Sequence, residues 1–243
     1  MDWRDEGVLL SVRKHGEGSA IIEVFTEKHG RHAGLVRGGG SRKMSPILQP
    51  GSQLSVEWKA RLEDHLGSYT IDPIKSRAVS IMGDRGALAA MGSITALLCL
   101  GLPEREEHRQ LYTRTIDLVD ALGEIDDWPA RYALWENALL AELGFGLDFS
   151  ECAATGSTQE LIYVSPRTGR AVSRSGGADY AELMLPLPRF LNMDEPIVGN
   201  STVVEALRTT GHFMETWVMP ALGREKLPSA RARLVQVLEK TLA

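Results

Sequence analysis

Seven cationic side chains in the first quarter of the chain have the types and spacing to hold a polyanion: Lys28, Arg31, Arg37, Arg42, Lys43, Lys59 and Arg61. The first five fall between Lys28 and Val56, a stretch with no Asp or Glu. His29 and His32 stand among them and read as turn residues that add charge below neutral pH. Gly38-Gly39-Gly40-Ser41 lies in the middle of the stretch and predicts a flexible joint. Mobile positive charge on a rigid support is what a nucleic-acid backbone selects. Lys59 and Arg61 extend the set from the outer face of a strand, with Glu57 opposing them.

The charge is asymmetric along the chain. Residues 1–80 hold 12 Lys/Arg against 10 Asp/Glu, whereas residues 81–243 hold 15 against 22, for a net of −5 overall. Opposed halves point to an anion-binding module joined to something else. The competing reading is a solvated basic loop with no ligand.

Catalytic chemistry is poorly represented. The glycine run lacks the G-x-x-x-x-G-K-[ST] order of a phosphate loop. G-x-S-x-G, H-E-x-x-H and H-x-E with C-x-x-C are absent too. Glu106-Glu107 and Asp126-Asp127 read as helix starts or turns, and Glu63-Asp64 as a hairpin turn. No residue is assigned a catalytic role and no cofactor is expected. With only Cys99 and Cys152 there is no disulfide framework, and a reducing compartment follows. No window approaches the roughly 18 apolar residues of a membrane span. The opening Met1–Glu6 lacks the order of a signal peptide. A soluble, cytoplasmic protein is expected.

The elements that must position the cations are strands. Val8, Leu10 and Val12 alternate with Leu9, Ser11 and Arg13; Ile22 and Val24 alternate with Ile21, Glu23 and Phe25, whose face the pattern leaves open. Leu54-Ser55-Val56-Glu57-Trp58-Lys59-Ala60-Arg61 is the clearest case, with Trp58 on the core face. Another strand fits Leu66–Ile74. Five short strands in 80 residues suit a small closed barrel, which leaves no open edge. An OB-fold, whose loops and sheet bind oligonucleotides, answers this description, and an SH3-like barrel fits the pattern as well.

Past residue 82 the period becomes helical. Gly86–Leu102 shows Leu88, Met91, Thr95 and Leu98 on one face, and His108–Leu122 shows Leu111, Thr115, Leu118 and Leu122. Pro129 opens Ala130–Leu143, and Val203–Met219 and Ser229–Leu242 follow. The class is therefore α+β: an OB-fold over 1–80, then a helical domain over 81–243. Residues 150–180 form a small insert whose hairpin pairs Leu161–Val164 with Ala171–Ser173.

Ordered motifs along the chain resemble the bacterial RecO family of recombination mediators. They are Val24–Arg31, Arg37–Lys43 and Leu48-Gln49-Pro50-Gly51, then Glu142–Phe145 with Leu147 and Cys152, Tyr163–Pro166 with Gly169, and Leu227–Arg231. The resemblance implies an OB-fold, a helical domain and a zinc-finger-like insert. It implies binding of single- and double-stranded DNA, strand annealing, and work with RecR and single-strand-binding protein in loading RecA. Zinc-bearing members carry two C-x-x-C pairs, which align here with Cys152 and Thr155, and with Ser173 and Gly176. Three of the four ligands are missing, so no metal is expected. Packing of Leu161, Tyr163 and Val172 should hold the insert, with Cys152 a buried small residue.

The reading is a non-enzymatic DNA-binding mediator, nucleoid-associated, in which the seven cations contact phosphates and Gly38–Gly40 let the loop adapt. The helical domain would meet proteins, with surfaces near Arg131 and Arg208 as candidates for an acidic tail. Two rivals are a protein adaptor with a solvated loop and a metal-dependent nuclease using Asp64 and Asp72.

Overall fold

The computed structural model describes residues 1–192 and 201–242. Its residues group into two compact units, Met1–Ile125 and Asp126–Ala243. The sequence places a boundary near residue 80, where the period changes. By packing, the first three helices group with the strands.

The first unit is a closed five-stranded barrel of order β1-β2-β3-β5-β4: β1 Asp2–His15, β2 Ser19–Thr26, β3 Gly30–Val36, β4 Gln53–Lys59 and β5 Ser68–Lys75. All pairings are antiparallel except β3 with β5, where Leu35 meets Ser68 and closes the ring. This is the OB-fold topology. Leu9, Ala20, Ile22, Val24, Val36, Leu54, Val56, Trp58 and Tyr69 fill the interior. The outer face of β1 and β2 is covered as well. Phe25 is buried there and meets the Tyr112 ring edge-on at 5.5 Å, which resolves its face.

Strand β3 corrects the view of residues 28–56 as one loop. Its inward positions are Gly30, His32, Gly34 and Val36, so the apolar alternation is masked. Gly34 is needed because a ring fills the barrel beside it, whereas at Gly30 a Cβ would meet the Glu106 carbonyl. A Cβ on Gly34 would lie 2.5 Å from the Tyr69 ring, and His32 meets Trp58 edge-on at 4.7 Å. His32 is thus a core residue and not a turn residue, 3 % exposed.

Helices α1 Ala78–Met82, α2 Arg85–Gly101 and α3 Arg109–Ala121 complete this unit. Asp84 caps α2 by accepting from the Gly86 and Ala87 amides at 2.7 and 3.1 Å. The buried face of α2 runs through Ala87, Ala90, Met91, Ile94 and Leu98. Leu88, expected on that face, is 54 % exposed, because the buried face is centred on Ala87, Ala90, Met91 and Ile94.

In the second unit, α4 Trp128–Glu142 begins at the expected Pro129 turn. A three-stranded sheet of order β7-β6-β8 follows, from β6 Leu161–Val164, β7 Ala171–Ser173 and β8 Leu185–Pro186. Helix α5 Ser201–Phe213 runs through a π-turn, Met214–Val218, into the short α6 Met219–Ala221; α7 Ser229–Leu242 ends the fold. Leu234 and Leu238 of α7 are buried, and the side chain of Leu242 lies outside the described residues. A buried ion pair ties the helices together. Arg231 donates to both Glu136 oxygens at 2.8 and 2.9 Å and to the Leu207 carbonyl at 2.7 Å. Tyr132 and Thr210 satisfy the rest of the carboxylate.

Two stability predictions follow from these cores. Arg231→Met alone should cost roughly 3–5 kcal/mol, because it strands a buried carboxylate, whereas Glu136→Leu combined with Arg231→Met should recover most of that loss. Urea melts that showed the double variant worse than the single would contradict this. Burial holds the His32 imidazole down to about 4, with Nδ1 2.9 Å from the Ala33 carbonyl. The unfolded chain protonates near pH 6.5, so the folded barrel should lose stability as pH falls from about 6.5 to about 4. The loss attributable to His32 is on the order of 2–3 kcal/mol, and the His32→Gln variant should lack it in the same melts.

Candidate nucleic-acid interface

Chain direction sorts six of the seven cations into two groups. β1, β3 and β5 run one way through the barrel, and β2 and β4 run back. The β1–β2 turn and the β3–β4 segment therefore share one end, which holds Arg37, Arg42 and Lys43. The β2–β3 turn, the β4–β5 loop and the amino terminus share the other, which holds Lys28, Lys59 and Arg61.

The first end is built by close backbone approach. Gly38 takes a positive φ of 73° that turns the chain out of β3. Gly39 is buried, and a Cβ there would sit 2.9 Å from the Ala20 Cβ on β2. The Gly40 amide donates to the Gly18 carbonyl at 3.3 Å. The glycines thus dock the segment onto the β1–β2 turn. Helical turns follow, with the Met44 amide on Ser41 at 3.1 Å and the Leu48 amide on Met44 at 2.9 Å. Leu48 enters the barrel core, and Met44 and Ile47 pack against it. Arg42 and Lys43 are exposed on this anchored turn, and Arg37 is exposed at its start.

Docking adds two cations that composition did not single out. Lys14 pairs with Ala20, and His15 with Ser19, beside the glycine contacts. Arg13 and Lys14 are exposed there. Their signal was the length of β1, which continues past the apolar run ending at Val12. Residues 13–19 and 37–52 together hold five Lys/Arg against the single acid Glu17. Among the described residues, none of the five enters an ion pair. These segments contain no Phe, Trp or Tyr, so they offer phosphate contacts without an aromatic stacking platform.

The opposite end has the reverse balance. Residues 1–6, 27–29 and 57–66 carry four Lys/Arg and seven Asp/Glu. Glu57 engages Lys59 at 2.6 Å and Arg4 at 2.9 Å, and those contacts hold its carboxyl below the ordinary range. Lys28 and Arg61 are exposed, with the Lys28 amide bound to Asp5 at 3.0 Å. Arg105 reaches over this end, donating to the Glu63 and His65 carbonyls with its guanidinium 5.9 Å from the Trp58 ring centre. His29 stacks on Trp3 at 4.0 Å and lies 3.0 Å from Asp5. Arg31 belongs to neither surface. It sits on β3, pairs with Glu23, and donates to the Leu102 carbonyl at 2.9 Å, so its charge is neutralised within the chain.

Asp64 lies in the β4–β5 loop, whereas Asp72 lies along β5 toward the other end. Among the described residues no three His, Cys, Asp or Glu side chains converge as metal ligands. Nor is any helix long and apolar enough to cross a membrane.

Comparison with known proteins agrees with this architecture. Residues 1–77 match the family model described as Recombination protein O N terminal, and residues 82–226 match Recombination protein O C terminal. A DNA repair protein RecO of Roseobacter denitrificans is 52 % identical over 244 residues, covering 100 % of both chains. One from Ruegeria sp. is 53 % identical over 240 residues, 99 % of each. One from Jannaschia sp. is 52 % identical over 241 residues, covering 99 % of this chain and 97 % of the relative. With both halves matched and relatives aligned end to end, the chain belongs to the RecO family.

Proposed function

We propose that this protein is a non-enzymatic DNA-repair mediator that holds the phosphate backbone of single- and double-stranded DNA at the hairpin end of its barrel. The observation that carries the reading is the set of five exposed cations, Arg13, Lys14, Arg37, Arg42 and Lys43, at one end of the barrel on segments that hold a single acid. Neutralising phosphates on two complementary strands lowers their repulsion and lets them anneal. Without stacking rings, binding follows charge density and not base identity. Residues 1–80 supply the DNA-binding part. The helical region, 81–243, supplies docking to RecR and single-strand-binding protein, so that RecA is loaded. Family membership supports these partners, and a cytoplasmic, nucleoid-associated location follows from the same role.

Arg31 and Lys59 are left out of the contact set because Glu23 and Glu57 already hold their charges. Lys28 and Arg61 are left out because acids outnumber cations around them.

Fluorescence anisotropy with a labelled single strand tests this directly. Five neutralised phosphates predict a log–log salt slope of roughly −3 to −4. Arg42→Glu with Lys43→Glu should weaken binding at least about tenfold, equally for unrelated sequences, and reduce the slope by at least about 1. Lys59→Glu with Arg61→Glu should leave affinity within about twofold. Annealing should proceed without nucleotide or divalent metal. A salt-independent or negligible affinity would favour the adaptor reading, and metal-dependent cleavage would favour the nuclease.

A further inference from the structure

Two turns of the insert in the second unit meet around one sulfur. Cys152 and Thr155 precede β6, while Ser173 ends β7 and Gly176 follows it. Two such pairs, each with two residues between its members, are the layout in which paired turns present four thiolates to a tetrahedral zinc. The residues present do not fit that ion: one thiol remains, glycine has no ligand atom, and the hydroxyls of Ser and Thr are not zinc ligands of this class.

The four positions nevertheless stay together. Cys152 and Ser173 are 1 % and 2 % exposed. The Ser173 amide donates to Cys152 Sγ at 3.2 Å. Ser173 Oγ accepts from the Gly176 amide at 3.1 Å and lies 3.5 Å from Thr155 Oγ1. A Cβ on Gly176 would fall 2.9 Å from Cys152 Sγ, 3.1 Å from Ser173 Oγ and 3.2 Å from Thr155 Cγ2. Thiolates on a zinc at about 2.3 Å would stand about 3.8 Å apart with the ion between them. Here the two turns meet directly instead, through the Ser173 amide on Cys152 Sγ. Both turns also keep their own backbone bonds, Gly156 amide to Cys152 carbonyl and Gly177 amide to Ser173 carbonyl, each at 2.9 Å.

We propose that hydrogen bonds and close packing among Cys152, Thr155, Ser173 and Gly176 replace a metal as the cross-link of this insert, so that it folds and holds without zinc. The cross-link consists of single hydrogen bonds, so removing one acceptor should loosen one identifiable amide. Cys152→Ala releases the Ser173 N–H, and Ser173→Ala releases the Gly176 N–H.

The test uses the full chain purified from zinc-supplemented culture. Elemental analysis should find no stoichiometric zinc, and excess EDTA should leave the Tm unchanged. Hydrogen exchange should speed up about tenfold at Ser173 in Cys152→Ala and at Gly176 in Ser173→Ala. Either about one zinc per chain, stripped by EDTA with a fall in Tm, or unchanged exchange at both amides would overturn the proposal. The zinc and EDTA measurements need only the unsubstituted protein, so they decide the metal question even if a variant fails to fold.

Discussion

The contact of Gly39 with Ala20, and of Gly40 with Gly18, turns scattered cations into a surface. Without it the β3–β4 segment would be a basic loop beside a basic hairpin, each free to find acids elsewhere. With it, Arg37, Arg42 and Lys43 are fixed on a scaffold whose far side is Leu48 in the barrel core. At Gly39 a Cβ would lie 2.9 Å from the Ala20 Cβ, so a side chain there would push the segment off the strand, whereas Gly40 has ordinary room. The glycine run therefore places the backbone that carries the cations, while their exposed side chains keep their own rotamer freedom.

The barrel's polarity follows from the same chain directions. Three parallel-running strands and two returning ones send acids and cations to opposite ends. The acidic end is closed by Trp3, Trp58, His32 and Tyr69, with Arg105 above Trp58. Of these rings Trp58, His32 and Tyr69 are buried in the barrel, and Trp3 is partly buried under the stacked His29. On the proposed function, affinity would come from phosphates, with the acidic end repelling a backbone that the other end attracts.

Much of this was legible in the sequence. Alternation in Leu54–Trp58 placed the core face of β4, and Pro129 marked the start of α4. Strand β3 was not legible, because its buried positions are Gly30, held against the Glu106 backbone, His32, and Gly34, held against the Tyr69 ring, where aliphatic residues would signal a strand. The same omission made Arg31 look available, although its strand carries it to Glu23. Charge composition pointed to residues 28–56, but it could not show that Lys28 and Arg42 lie at opposite ends, or that Arg13 and Lys14 join Arg42. Those relations depend on strand pairing, which no local pattern encodes.

The second unit shows the corresponding point for polar groups. Its helices are tied by one fully satisfied ion pair, Arg231 with Glu136, and its insert is joined at Cys152 and Ser173. Both devices depend on complete partnering in low dielectric. The central claim, that DNA is held at the hairpin end, is tested most directly by mapping amide shifts as an unlabelled oligonucleotide is titrated into the isotope-labelled chain. The account predicts that the barrel's perturbations concentrate in residues 13–19 and 37–44. Perturbations centred instead on residues 27–29 and 59–66 would contradict it.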